Sequence, residues 1–188
     1  MILSLVTGPT TLPVSADDLR SMGRLDDYED AIVIEKLIEA AARMVGEYAG
    51  RSLLEETWAL SIPAIHRRDL MLPKSPVRSI TSITYFDGAD AEQTANVSDF
   101  YLMKDDDRAI LRPKSGESWP AANTDRDDAI TITFVAGYTD IPPTLVHAVK
   151  MMALHLVNNR EAVSDIRTYE VPLGIQNLIN VERLGWAS

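Results

Sequence analysis

The 188-residue chain contains no cysteine. That excludes a disulfide framework, a thiolate metal site and a cysteine nucleophile, and it suits a reducing compartment. Long apolar runs are also missing. Spanning a bilayer takes roughly 20 apolar residues, and the longest candidate, Leu145 to Val157, is interrupted by His147, Lys150 and His155. The opening Met1-Ile2-Leu3-Ser4-Leu5-Val6 has no basic flank and runs into Gly8-Pro9, so it reads as an edge strand and not as a signal peptide. The expectation is a soluble protein with no membrane partner. Positive charge is scarce too: 18 Lys and Arg face 28 Asp and Glu, for a net charge of −10. Gripping DNA requires clustered cations, and here they are scattered, which argues against a DNA-binding protein.

Catalytic grammar is absent as well. There is no Gly-x-Ser-x-Gly, no phosphate-cradling glycine loop and no dinucleotide fingerprint. His147 and His155 share a helical stretch, but no carboxylate stands at the spacing of a metalloprotease helix. His66 belongs to a charged loop, His66-Arg67-Arg68-Asp69. Asp105-Asp106-Asp107 lacks the alternate spacing and the following glutamate of a calcium loop, and it reads as a hairpin turn before Arg108. These observations predict no catalytic residues, no metal and no cofactor. The remaining acidic groups, Asp17-Asp18, Asp26-Asp27, Glu29-Asp30 and Asp125 with Asp127-Asp128, read as solvated turns and helix starts.

What is present is a change of period along the chain. Ser15 followed by Asp18 predicts an N-cap and a short helix from Ala16 to about Met22, stopped by Gly23. From Asp30 to Ala49 the apolar residues Ile34, Leu37, Ile38, Ala41, Ala42, Val45 and Tyr48 follow a helical spacing, with Gly50 as the stop. Trp58, Leu60 and Ile62 then alternate with smaller or polar residues, as do Ile130, Ile132 and Phe134, which predicts strands with one buried face. Between them lie strand candidates at Val77 to Phe86, with a bulge near Thr81-Ser82, at Phe100 to Met103 and at Ala109 to Leu111. Pro73, Pro76, Pro113 and Pro120 are expected at strand ends. Pro142-Pro143 opens a long helix that is nearly apolar all round and is therefore expected to be buried on several sides. The fold expected is α+β: a single domain over residues 1–188, built as a small helical bundle from N-terminal helices at 15–50 and a long helix at 142–161. An antiparallel β-module at 56–138 is inserted in it, and a C-terminal segment follows at 172–188.

Several phrases together resemble a known family. They are Leu72-Pro73-Lys74-Ser75-Pro76-Val77-Arg78-Ser79-Ile80-Thr81-Ser82-Ile83-Thr84-Tyr85, then Trp119-Pro120, then Ile130-Thr131-Ile132-Thr133-Phe134-Val135-Ala136-Gly137-Tyr138, and an apolar helix ending in Asn159-Arg160-Glu161. In order and spacing they resemble the head-to-tail connector proteins, also called adaptor or head-completion proteins, of long-tailed bacteriophages, prophages and gene-transfer agents. The resemblance covers roughly residues 1 to 180 and includes the Tyr48-Ala49-Gly50-Arg51-Ser52-Leu53 helix exit. It implies a structural virion protein of the neck, assembled in the host bacterial cytoplasm as a homo-oligomeric ring of about twelve subunits. The implied partners are the portal protein above and a tail-side stopper or terminator below, with DNA passing through without sequence-specific binding.

The C-terminal segment is the candidate docking site. Leu173, Gly174, Ile175, Leu178, Ile179 and Arg183 put apolar surface near a chain end, after a polar linker over residues 162–171, and Trp186 follows. The segment either folds back on its own helices or docks on the portal or a neighbouring subunit. Two other functions compete with the connector. A tail-terminator-like ring protein would be expected to hold less than about a fifth helix, and a small acidic ligand-binding domain would show a deep pocket with buried ionisable groups.

Overall fold

A computed structural model describes residues 1–24, 30–65, 68–158 and 172–184. The chain is α+β, with 34% of it helical and 29% in strands. That helical share weighs against the terminator-like alternative. Contacts divide it into two compact units, one formed by Met1–Pro9 with Glu55–Tyr138 and the other by Thr10–Leu54 with Thr139–Ser188.

The first unit is a sandwich of antiparallel sheets. Strands β1 (Ile2–Thr7), β2 (Glu56–Ile62), β8 (Ile130–Ala136), β4 (Val77–Phe86) and β5 (Glu92–Ala95) form a five-stranded sheet in that order. Strands β3 (Leu70–Leu72), β7 (Ala109–Pro113) and β6 (Phe100–Lys104) form a three-stranded sheet. The alternation in the sequence determines what is buried: Trp58, Leu60, Ile62, Ile130, Ile132 and Phe134 from the larger sheet meet Leu70, Leu72, Ala109, Leu111 and Phe100 from the smaller one in a single core. The opening residues form an edge strand, as expected. The bulge expected near Thr81 is present, between Ile80 and Ser82, and a second one lies between Val77 and Ser79. The short strands β3 and β5 escaped the sequence reading because three or four residues show too little alternation to stand out. Pro73, Pro76 and Pro113 lie at strand ends, whereas Pro120 lies in the long connection before β8.

The phrase at residues 72–77 links the sheets. Leu72 and Val77 enter the core from its two ends, and Lys74 sits in a left-handed conformation with φ 63. Its ammonium lies 4.8 Å from the centre of the Trp58 ring.

The second unit is helical. Helix α1 (Ala16–Gly23) has Ser15 as N-cap, its hydroxyl accepting from the Asp18 amide at 3.0 Å. The left-handed residue that ends it is Arg24, with φ 49, one position beyond the glycine expected to stop it. Helix α2 (Ala31–Ala49) starts at Asp30, whose carboxylate caps the Ile32 amide, and ends at Gly50 with φ 73, a conformation glycine adopts without a Cβ penalty. Helix α3 (Pro143–Asn158) packs against α2, and helix α4 (Leu173–Glu182) packs against both. Leu145, Val149, Met152, Ala153 and Leu156 are buried, but Val146, Met151 and Leu154 remain half-exposed. Within its unit α3 is therefore covered over part of its circumference, less than its composition led us to expect. Residues 159–161 and the linker at 162–171 lie outside the described residues, as do Asp26-Asp27, Glu29, His66 and Trp186.

Candidate assembly site

The six C-terminal residues singled out by sequence all fall on or just after α4, and the helix divides them. Ile175 and Ile179 are 2% and 0% exposed and turn into the subunit's own bundle. Leu173 is 76% exposed, as Val181 nearby is 73% exposed. Gly174 is exposed, with open space where a Cβ would stand, and Leu178 is half-buried. Arg183 places its guanidinium carbon 5.3 Å from the centre of the Tyr48 ring. The N-cap of α4 is Pro172, which makes no side-chain capping bond. The apolar segment therefore has an inner row that belongs to the bundle and an outer row, Leu173 with Val181, that stays exposed among the described residues.

The far end of α4 is tied down by residues that sequence reasoning missed. Arg51, 4% exposed, donates from Nε to the Glu182 carbonyl at 2.5 Å. The Leu184 amide donates to the Ala49 carbonyl at 3.1 Å. Thr144 Oγ1 at the start of α3 donates to Glu182 Oε1 at 3.0 Å. The exit of α2 is tightly built around this latch. The Arg51 amide donates to the Gly46 carbonyl at 2.9 Å, and a Cβ on Gly46 would come within 2.9 Å of the Arg51 carbonyl, which only glycine tolerates. The Arg51 to Glu182 bond joins positions 131 residues apart, a separation at which no local pattern gives a signal.

Several carboxylates are tied to backbone amides or to arginines. Asp87 accepts from the amides of Ala89 and Ala91 at 2.9 and 3.1 Å and from Gln93 Nε2 at 3.0 Å. The Ala91 amide, then Gln93 and Ala89, hold its carboxyl below the usual carboxylate range. Asp105 accepts from the amides of Arg108 and Asp107, which lower its pKa in the same way and close the β6–β7 hairpin. Arg126 holds Asp128 through two bonds of 2.9 Å and Asp90 through one of 2.9 Å. It lies 3.6 Å over the Phe86 ring and lowers the Asp128 pKa. Arg112 grips Asp69 through both carboxylate oxygens and lowers its pKa. Asp69, Asp87, Asp105 and Asp128 are thus each held ionised, the opposite of what a general acid needs.

His147 is exposed and His155 half-buried on α3. Among the described residues, no group of His, Cys, Asp and Glu could hold a metal ion, and no helix is long and apolar enough to cross a membrane.

The family model described as head completion protein matches residues 14–168. Among solved structures, a chain from the neck of an empty gene transfer agent particle, computed with C6 symmetry, superposes with a TM-score of 0.78 at 22% identity, covering 97% of this chain and 95% of that one. A chain from the virion of a native gene transfer agent particle gives a TM-score of 0.77 at 21% identity over 100% of both chains. A third, from the neck of a native particle computed with C12 symmetry, gives 0.72 at 23% identity, covering 97% and 95%. At such identities the likeness is one of fold. No curated protein matches.

Proposed function

Because the chain belongs to the head completion protein family, a family of structural head-to-tail connectors, we propose that it forms a ring of about twelve subunits beneath the portal. In this reading the ring lies in the virion neck, extends the DNA channel and offers its lower face to a stopper or terminator of the tail. Assembly takes place in the host bacterial cytoplasm, residues 1–188 act as one connector subunit, and no reaction is catalysed. The observation that carries the reading is the family match over residues 14–168, which takes in most of both units.

Two features of the molecule support it. The chain's net charge of −10 comes from carboxylates that are ionised at neutral pH, so a channel lined by them repels DNA and lets it slide. The exposed row of Leu173 and Val181 on α4 is apolar surface available to a partner. We assign the portal contact to the outer side of α4, with Leu173, Gly174 and Arg183 exposed, Leu178 half-buried, and Ile175 and Ile179 anchoring the helix that presents them.

The test is to mix the purified protein with its portal and look by sedimentation and electron microscopy. Rings seated on the portal are expected; the absence of any co-migrating complex would sink the reading. In a gel-shift experiment at physiological salt, negligible DNA binding is expected. Micromolar binding that weakens steeply with salt would replace the conduit by a nucleic-acid-binding role.

A further inference from the structure

The free edge of β1 is a strand edge of the kind that folded proteins ordinarily guard. β1 has six residues, ends the order of the five-stranded sheet and pairs there with β2 alone. Alternate amides and carbonyls on its other side therefore point away from the sheet, and no strand among the described residues receives them. Edges are usually blunted by charge, proline or short length. β5, at the opposite edge of the same sheet, follows that rule with only four residues and an exposed Glu92. β1 does not. It holds no proline and no charged side chain, and none of the first 16 side chains is charged in a chain that is 24% charged overall.

Apolar side chains are left open on both sides of this strand. Leu3 and Leu5 stand opposite Leu60 and Trp58 in the register, which puts them on the core side of the sheet. Trp58 is 9% exposed but Leu5 is 45% exposed, so the core layer stops short at β1. On the other side Ile2 is 60% exposed, and Val6, at the register shift, is 58% exposed. A partner lying on one face of the sheet would cover only one of these sets. A strand added at the edge covers both with its own alternating side chains and takes up the free backbone groups.

We propose that β1 receives an extended, uncharged segment of the tail-side protein of the neck, apolar at alternate positions and matching the six residues of β1. This rests on the reading that the chain is a ring-forming connector. Within that ring a second copy does not supply the strand. Joining like edges, β1 to β1, needs a two-fold axis between neighbours, which a cyclic ring of about twelve lacks. β5 of the next copy brings only Glu92, Gln93, Thr94 and Ala95, with no large apolar side chain to set against Ile2, Leu5 and Val6. The portal contact is assigned to α4 in the helical unit, which leaves the sandwich to the connector's other neighbour.

Hydrogen exchange tests this on the unsubstituted chain. The amides of Ile2–Thr7 are followed in the free subunit, in the ring on the portal, and after the purified tail-side protein is added. Alternate amides of β1 should exchange fast in the first two states and slow by at least about tenfold in the third. Ile2→Lys and Val6→Lys each place a charge on the edge. Both variants should keep the parent's melting temperature and its ring on the portal, and lose the tail-side protein. If the parent ring fails to hold that protein, holds it while the β1 amides stay fast, or holds it equally after either lysine substitution, the assignment of β1 is overturned and the ring stands. Amides already slowed in the ring alone would give the edge to a neighbouring copy or to the portal and equally overturn it. If no ring forms on the portal, the connector reading falls and this proposal with it.

Discussion

Asp87 in the sandwich reaches amides two and four residues ahead of it, while Arg51 in the helical unit reaches a carbonyl 131 residues away. The contrast is not uniform, since Arg112 in the sandwich reaches Asp69 43 residues away and Ser15 in the helical unit caps an amide three residues on, but it separates the sandwich turns from the placement of α4. In the sandwich, in-register strands bring one continuous apolar face to another, and polar side chains finish the turns locally. In the helical unit, α1, α2 and α3 bury their apolar stripes, but α4 is held by one inward row and a latch at one end. The sandwich is specified mainly by patterns along the chain, whereas the placement of α4 depends on a few contacts between remote residues.

The comparison is broken most severely at the centre of the sandwich. Phe134 is fully buried among both sheets, and Phe134→Ala should cost about 3–5 kcal/mol in urea denaturation, enough to unfold a marginal domain. A loss below about 1 kcal/mol would mean that the core is loosely packed and that alternation does not specify this unit.

In the helical unit the same chemistry should give two different answers. Ile179 is 0% exposed, so Ile179→Ala should lower stability by about 2–4 kcal/mol. Leu173 is 76% exposed, and Leu173→Ser should change stability by less than about 0.5 kcal/mol. If Leu173 belongs to the portal contact, the same substitution weakens co-sedimentation with the portal. Equal stability losses at the two positions would erase the division of α4 into an inner and an outer row.

The latch sharpens the contrast at a smaller scale. Arg51→Met keeps the stem of a buried side chain and removes the donor to the Glu182 carbonyl, so a loss of about 1–3 kcal/mol is expected, read by thermal unfolding. Amide exchange at Leu184, which bonds to Ala49, should speed up first if α4 is released from that end.

These contrasts also mark how far the sequence could be read. Trp58, Leu60 and Ile62 and Ile130, Ile132 and Phe134 announced two central strands because burial on one face imposes a period of two. Ser15, Asp30 and Gly50 announced helix ends because capping chemistry is local. The division of the strands between two sheets was not legible, since it depends on which strand edges meet and not on any strand's own pattern. For α4, the apolar residues of 173–179 were visible, but which of them faced inward was decided by a groove built from α2 and α3. Its tether to Arg51 left no local trace.

The smallest effect belongs to the turns, where the sandwich's local logic can be titrated. Asp87 is held ionised chiefly by the Ala91 amide, with Gln93 and the Ala89 amide adding to it. Its folded-state pKa therefore lies below the value in the unfolded chain, about 3.9. A depressed carboxylate adds stability that is fully present above the unfolded pKa and is lost as pH falls through the folded one. The stability difference between the parent and Asp87→Ala should therefore be flat from neutral pH down to about pH 5 and shrink below about pH 4. Asp105→Ala should follow the same course, because the Arg108 and Asp107 amides lower that carboxyl in the same way. Denaturant midpoints measured across this range decide the matter. A difference that persists unchanged to pH 2 would show that these turns are held by backbone geometry and not by the ionised carboxylate. In that case the charge of these residues would be dispensable to the sandwich, and it would have to be explained by what the assembled protein faces.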